Sequence, residues 1–198
     1  MGYHHSKRNL NWIVSTLLIL LISCGKENDN ADASISEKLN GLWQTACLNA
    51  PDALKAKSLK YEALFQDSTF KHSETSYEDT ECQVKAETEE IFSTFLLGDL
   101  IESTYNFDYT LTKLQETYFS QNWIDSLNDR GDCDITDRVL NEPVDLARCG
   151  ITGGFTVHSI IKAMDREIKI GRQSSDRSGG INDRYNILTE YSYFKFEE

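Results

Sequence analysis

The chain has 198 residues, of which 32 are acidic and 20 basic, for a formal net charge of −12 at pH 7. Such an excess of negative charge repels phosphate backbones and anionic headgroups, which excludes nucleic acid and electrostatic docking on anionic lipid. With 39% hydrophobic and 26% charged residues, the composition is that of a folded domain rather than a disordered chain.

The first element is a leader. Lys7 and Arg8 precede an apolar run from Leu10 to Ile22 that is interrupted by Asn11, Ser15 and Thr16. A membrane span needs ~20 consecutive apolar residues, so this run predicts a cleaved export signal and not a transmembrane helix. It ends in Leu21-Ile22-Ser23-Cys24, which resembles the lipobox of bacterial lipoproteins: a branched apolar residue, a tolerant position, a small residue, then cysteine. The resemblance implies diacylglyceryl transfer to the Cys24 thiol, cleavage before Cys24, and fatty (palmitate-type) acylation of the new amino terminus. It also implies an outer-membrane address, because Gly25 stands where inner-membrane lipoproteins carry Asp. In a cell with one membrane the same anchor holds the protein on the outer face. The alternative is an ordinary secretory cut after Gly25, with Ser23 as the second small residue. Two or three acyl chains, at ~0.8 kcal/mol per buried CH₂, hold a protein durably where one does not.

Removal of residues 1–23 leaves 18 basic against 32 acidic side chains, because Lys7 and Arg8 go with the leader. The plain reading of that charge is solubility in the envelope. Gly25 to Ser36 is small, polar and acidic, a flexible tether with a reach of ~20 Å. The expected organisation is a signal peptide over 1–23, an anchor and tether over 24–36, and a single β domain over 37–198.

Beyond Cys24 stand Cys47, Cys82, Cys133 and Cys149. An even number in an exported domain predicts two disulfides. Of the three possible pairings, Cys47–Cys82 and Cys133–Cys149 are favoured, because they join neighbours within separate segments. A metal centre is not expected: there is no C-x₂-C spacing, and His72 and His158 are the only histidines after the leader.

A helical turn is expected at Ser36 to Asn40, with Ser36 as its cap, followed by a first strand over Gly41 to Leu48. Leu59, Tyr61, Ala63 and Phe65 alternate with polar residues and predict a second strand. Asp67-Ser68 links it to a hairpin partner over Thr69 to Tyr77. A polar loop delivers Cys82, and Val84 to Leu97 reads as a long strand or a strand pair closed by Gly98-Asp99. Ile101, Ser103, Tyr105, Phe107, Tyr109 and Leu111 alternate with polar residues, a period of two that no helix fits. Trp123, Ile124 and Leu127 then switch to helical spacing, with Ser120 placed to cap and Gly131 to stop. Asp132 to Cys149 is an irregular excursion. Phe155 to Ala163, Glu167 to Ile170 and Ile187 to Phe196 read as three more strands, the last two separated by a Gly/Ser-rich loop.

About eight short antiparallel strands and one short helix predict an all-β barrel, with a β-sandwich as the alternative. Gly41-Leu42-Trp43 resembles the G-x-W that opens the first strand of lipocalins and other calycins. That resemblance implies a barrel whose closed end is plugged by Trp43, with Arg184 lying over the indole. It also implies a small apolar or amphipathic ligand in the barrel mouth. The aromatic face of Tyr105, Phe107 and Tyr109 is the candidate lining; the same residues serve equally as solid core.

Catalytic chemistry is mostly missing. The chain holds no G-x-S-x-G, and lipid and disulfides together consume all five thiols. His158 alternates within a strand and reads as a structural histidine, while His72, among polar neighbours, reads as surface. Asp125, Asp129, Asp132, Asp134 and Asp137 form an acidic cluster suited to Ca²⁺, but Ser126 and Arg130 fall on ligand positions of an EF-hand alignment. The expectation is a non-enzymatic envelope lipoprotein without cofactor, anchored through Cys24. Its partners would be a hydrophobic small molecule or another envelope protein. A carboxylate-based hydrolase is the remaining alternative.

Overall fold

The computed structural model describes residues 35–51, 56–131, 134–172, 179–180 and 182–196. The leader, Cys24 and the tether before residue 35 therefore lie outside the described residues. The strands are β1 (Gly41–Gln44), β2 (Leu48–Asn49), β3 (Ser58–Gln66), β4 (Thr69–Tyr77), β5 (Lys85–Ile101) and β6 (Thr104–Tyr118). After the helix α1 (Gln121–Arg130) come β7 (Pro143–Asp145), β8 (Thr156–Ala163), β9 (Glu167–Arg172), β10 (Ile187–Leu188) and β11 (Tyr193–Lys195).

β1 pairs antiparallel with β3 on one side and with β11 on the other. The ring β1–β3–β4–β5–β6–β8–β9–β11 is thus a closed eight-stranded antiparallel barrel, and β2, β7 and β10 pair beside it. Closure removes the free edges that an open sheet would leave exposed. The barrel is the predicted architecture, and the sandwich is set aside.

Trp43 is fully buried, and its Nε1–H donates to the Leu39 carbonyl at 2.6 Å. Leu39 ends a helical turn over 35–39 and joins Trp43, Ala63, Phe65, Phe107, Ile161 and Ile168 in one apolar core. The cation over the indole is Lys195, with Nζ 5.3 Å from the ring. Arg184, expected there from the calycin resemblance, is elsewhere: it donates to Asp108 and to the Ser159 carbonyl. The reason is topological, since β11 pairs with β1 and brings Lys195 directly opposite Trp43.

Several strand boundaries differ from the expectation: the first strand stops at Gln44, and Leu48 begins the separate β2. β5 does not stop at Gly98-Asp99; it continues to Ile101 with an irregularity in register between Leu97 and Leu100. The turn falls instead at Glu102, whose φ of 58° is left-handed, so the alternation that begins at Ile101 spans two strands. β6 then runs on to Tyr118, and the tip of this long hairpin leaves Leu96, Leu100 and Ile101 exposed. The last predicted strand is split into β10 and β11.

α1 lies where the period changes. Ile124 is its buried residue, and Gly131 ends it in the left-handed region at φ 63°. Ser120 occupies the cap position, but its side chain makes no capping bond. The excursion after α1 contributes β7, which pairs with β6, and a 3₁₀ turn over Leu146–Cys149.

Cys47 and Cys82 form a disulfide with Cα atoms 5.9 Å apart, tying the segment after β1 to the β4–β5 connection. Cys149 is disulfide-bonded as well; Cys133 lies outside the described residues. A bridge closing a 35-residue separation stabilises by ~3–4 kcal/mol in the chain-entropy account. The double variant Cys47→Ala/Cys82→Ala is expected to lose about that much in urea denaturation, and a loss below ~1 kcal/mol would contradict it.

Candidate functional site

Register decides which side chains meet inside the barrel. Residues directly opposite one another on paired strands share a face. Phe65 faces Phe70, Ala63 faces His72, and Tyr61 faces Glu74. Across the next pairing His72 faces Ile91 and Glu74 faces Glu89. One strand further, Glu89 faces Glu116 and Glu87 faces Tyr118. The interior therefore changes character along its length, from rings near Trp43 to carboxylates beyond His72.

Between these zones lies a partly open cavity of ≈ 380 Å³. Phe70, Ile170 and Tyr193 form its floor, and Tyr61, Tyr109 and Tyr191 stand around it. That volume is at the small end of the roughly 300–1,000 Å³ range of ligand pockets. The rings are ordered by their contacts. Tyr61 and Tyr191 stack with centroids 4.8 Å apart and planes 2° from parallel, while Tyr191 meets Tyr193 edge-on at 5.7 Å. His72 Nε2 and the Tyr193 hydroxyl share a hydrogen bond of 2.9 Å across the barrel.

Burial lowers the His72 pKa to about 4, so at neutral pH this imidazole carries no charge. Burial likewise pushes the Tyr109 phenol up to about 12 and raises those of Tyr61 and Tyr191. All these phenols are therefore neutral donors and acceptors. Glu74 is raised by burial, an effect that its hydrogen bond with Tyr61 partly offsets. Arg172, at the rim, is held 3.2 Å from Glu190.

The predicted lining separates into core and wall. Phe107 is fully buried among Phe65, Phe70 and Phe95. Tyr105 packs against the same cluster. Tyr109 alone of the three reaches the cavity. His72, expected at the surface, is on the inner face. On β4 the inward positions Phe70, His72, Glu74 and Ser76 are mostly polar, so hydrophobic alternation gives no sign of which face is inside. The remaining wall comes from Tyr185, Thr189 and Tyr191, in a stretch whose single-residue excursions follow no period.

A second cavity of ≈ 310 Å³ lies between α1 and the sheet, lined by Glu87, Glu116, Tyr118 and Trp123 among others. Tyr118 donates to Glu116, and the buried Arg138 guanidinium sits 5.8 Å over the Tyr118 ring. Burial raises Glu87 to about 7, helped by Glu116, Glu89 and Glu74, and Glu89 to about 6 for the same reasons.

His158 is placed as a structural residue. Its Nδ1 lies 3.0 Å from Asp108 on the outer face of β6, and Arg184 holds the other oxygen of that carboxylate. Burial alone would raise Asp108, but the Arg184 hydrogen bond and the close approach of His158 outweigh it and leave the carboxyl below its ordinary value. Among the described residues no group of three or more His, Cys, Asp or Glu side chains converges to hold a metal ion. Asp132 of the acidic cluster lies outside them.

No protein-family model matches the chain, and no curated protein matches its sequence.

Proposed function

We propose that this chain is an envelope lipoprotein, anchored through acyl chains on Cys24, whose barrel binds a small amphipathic ligand and catalyses no reaction. The observation that carries the reading is the cavity between Tyr61, Tyr109 and Tyr191, walled by stacked rings and floored by the barrel core. A solid interior would leave no such space. The leader supplies the anchor in this reading, and the barrel supplies the container.

Titration of the protein with an environment-sensitive hydrophobic dye tests it. The expected result is saturable 1:1 binding that Tyr191→Ala weakens about tenfold, as loss of a ring wall does at a binding hot spot. Dye uptake that never saturates, or that ignores Tyr191→Ala, would sink the proposal.

The exposed Leu96, Leu100 and Ile101 at the β5–β6 hairpin tip favour a second reading, in which the protein contacts another envelope protein. Crosslinking from the hairpin tip in intact cells separates the two, because a carrier forms few stable partners. The carboxylates beneath α1 are the place to look for hydrolysis.

A further inference from the structure

We propose that the barrel chamber selects a small organic cation, an alkyl- or arylammonium, over neutral and anionic molecules of the same size. This deepens the ligand-binding reading above and rests on it.

The argument starts with the charges that face the cavity. Among the described lining residues three can carry one: His72, Glu74 and Arg172. His72 is neutral at physiological pH, since burial holds its pKa near 4. Arg172 is exposed and bound to Glu190 at the rim. Glu74 is left as the charge on the inner face, directly opposite Tyr61 on β3. Glu89 stands directly opposite it on β5, so the field inside is negative.

The rings give the second half. Tyr61 and Tyr191 cover one face of each other, Tyr193 stands edge-on to Tyr191, and Phe70 meets Tyr109 at 63°, so the rings border the cavity at differing tilts. Ring faces attract a cation through their quadrupole, by about 0.5–2 kcal/mol according to how far it is desolvated. Neutral, protonated phenols keep that attraction free of any counter-ion demand beyond Glu74. A carboxylate ligand meets the opposite situation: Glu74 repels it, and no unpaired cation among the described lining residues receives it. Fatty acids are thereby disfavoured, and amines of about the same bulk are admitted.

Calorimetric titration of the full chain in an uncharged maltoside detergent with three matched probes tests this. The probes are 4-phenylbutyltrimethylammonium, 4-phenylbutanol and 4-phenylbutyrate. The expected order is ammonium over alcohol by about tenfold, with the carboxylate weakest. Glu74→Gln is expected to bring the ratio of ammonium to alcohol affinity down to about one, whatever it does to either affinity alone, and Glu74→Asp to keep most of that ratio. Removing one of several crowded carboxylates relieves repulsion, so the Gln variant should fold. Equal affinity for alcohol and ammonium, or a preference that survives Glu74→Gln, overturns the cation reading alone. Failure of all three probes to bind overturns the ligand-binding proposal and this inference with it.

Discussion

Glu87→Gln is expected to stabilise the protein by about 2 kcal/mol at pH 8 and by little at pH 5. Glu74, Glu89 and Glu116 occupy consecutive strands in direct register, and Glu87 sits on the same face. Like charges placed opposite one another in a sheet repel. Burial first, then this repulsion, lifts Glu87 to about 7 and Glu89 to about 6, and Arg138 offsets only part of the lift for Glu87. A carboxyl whose folded pKa exceeds its unfolded value binds more protons when folded. Its contribution therefore falls as pH rises from about 4.5 through about 7. His72 acts the other way: its pKa is lowered to about 4, so its contribution is present above about 6.5 and lost as pH falls toward 4. The two trends overlap below pH 6.5, and the glutamate trend alone remains above it. Chemical denaturation of wild type and variant at pH 5, 6.5 and 8 checks this. A stabilisation that is the same at all three values would show that the carboxylates do not interact as described.

Trp43→Ala is expected to cost about 3–5 kcal/mol, the usual range for truncating a buried large aromatic side chain. The indole is fully buried in the core, anchors the helical turn through the Leu39 carbonyl, and lies under Lys195. Trp43→Phe should cost less, about 1–3 kcal/mol, because it keeps a ring but leaves that carbonyl without its donor. Guanidinium denaturation measures both. A Trp43→Ala loss under ~1 kcal/mol would mean that the core beside Leu39 is held by something other than this indole.

Much of the architecture was legible in the chain. Period-two alternation over Leu59 to Phe65 and across Tyr105 to Leu111 marks strands whose inner residues are apolar, and the barrel follows from their number. The helical spacing of Trp123, Ile124 and Leu127, with Gly131 behind it, marks α1. Cys47 and Cys82 pair as neighbours in sequence should. What was not legible depends on register and on the far side of the barrel. Glu74, Glu89 and Glu116 look like surface residues one strand at a time, and only pairing shows them on one interior face. His72 reads as surface for the same reason, because β4 turns polar residues inward. The hairpin turn is hidden because alternation passes through Glu102 unchanged, while the direction of the chain does not. Lys195 is one of many lysines until β11 sets it beside Trp43.

The seam at β1 has a kinetic consequence. Its four residues pair with β3, a short way along the chain, and Trp43 and Gln44 also pair with β11, almost at the other end, where Trp43 sits opposite Lys195. Ring closure is thus among the most distant pairings in the molecule, and contacts of that kind form slowly because chain entropy is lost before any bond rewards it. A polypeptide that emerges amino-terminus first must hold its opening strand half-paired until nearly everything else has arrived.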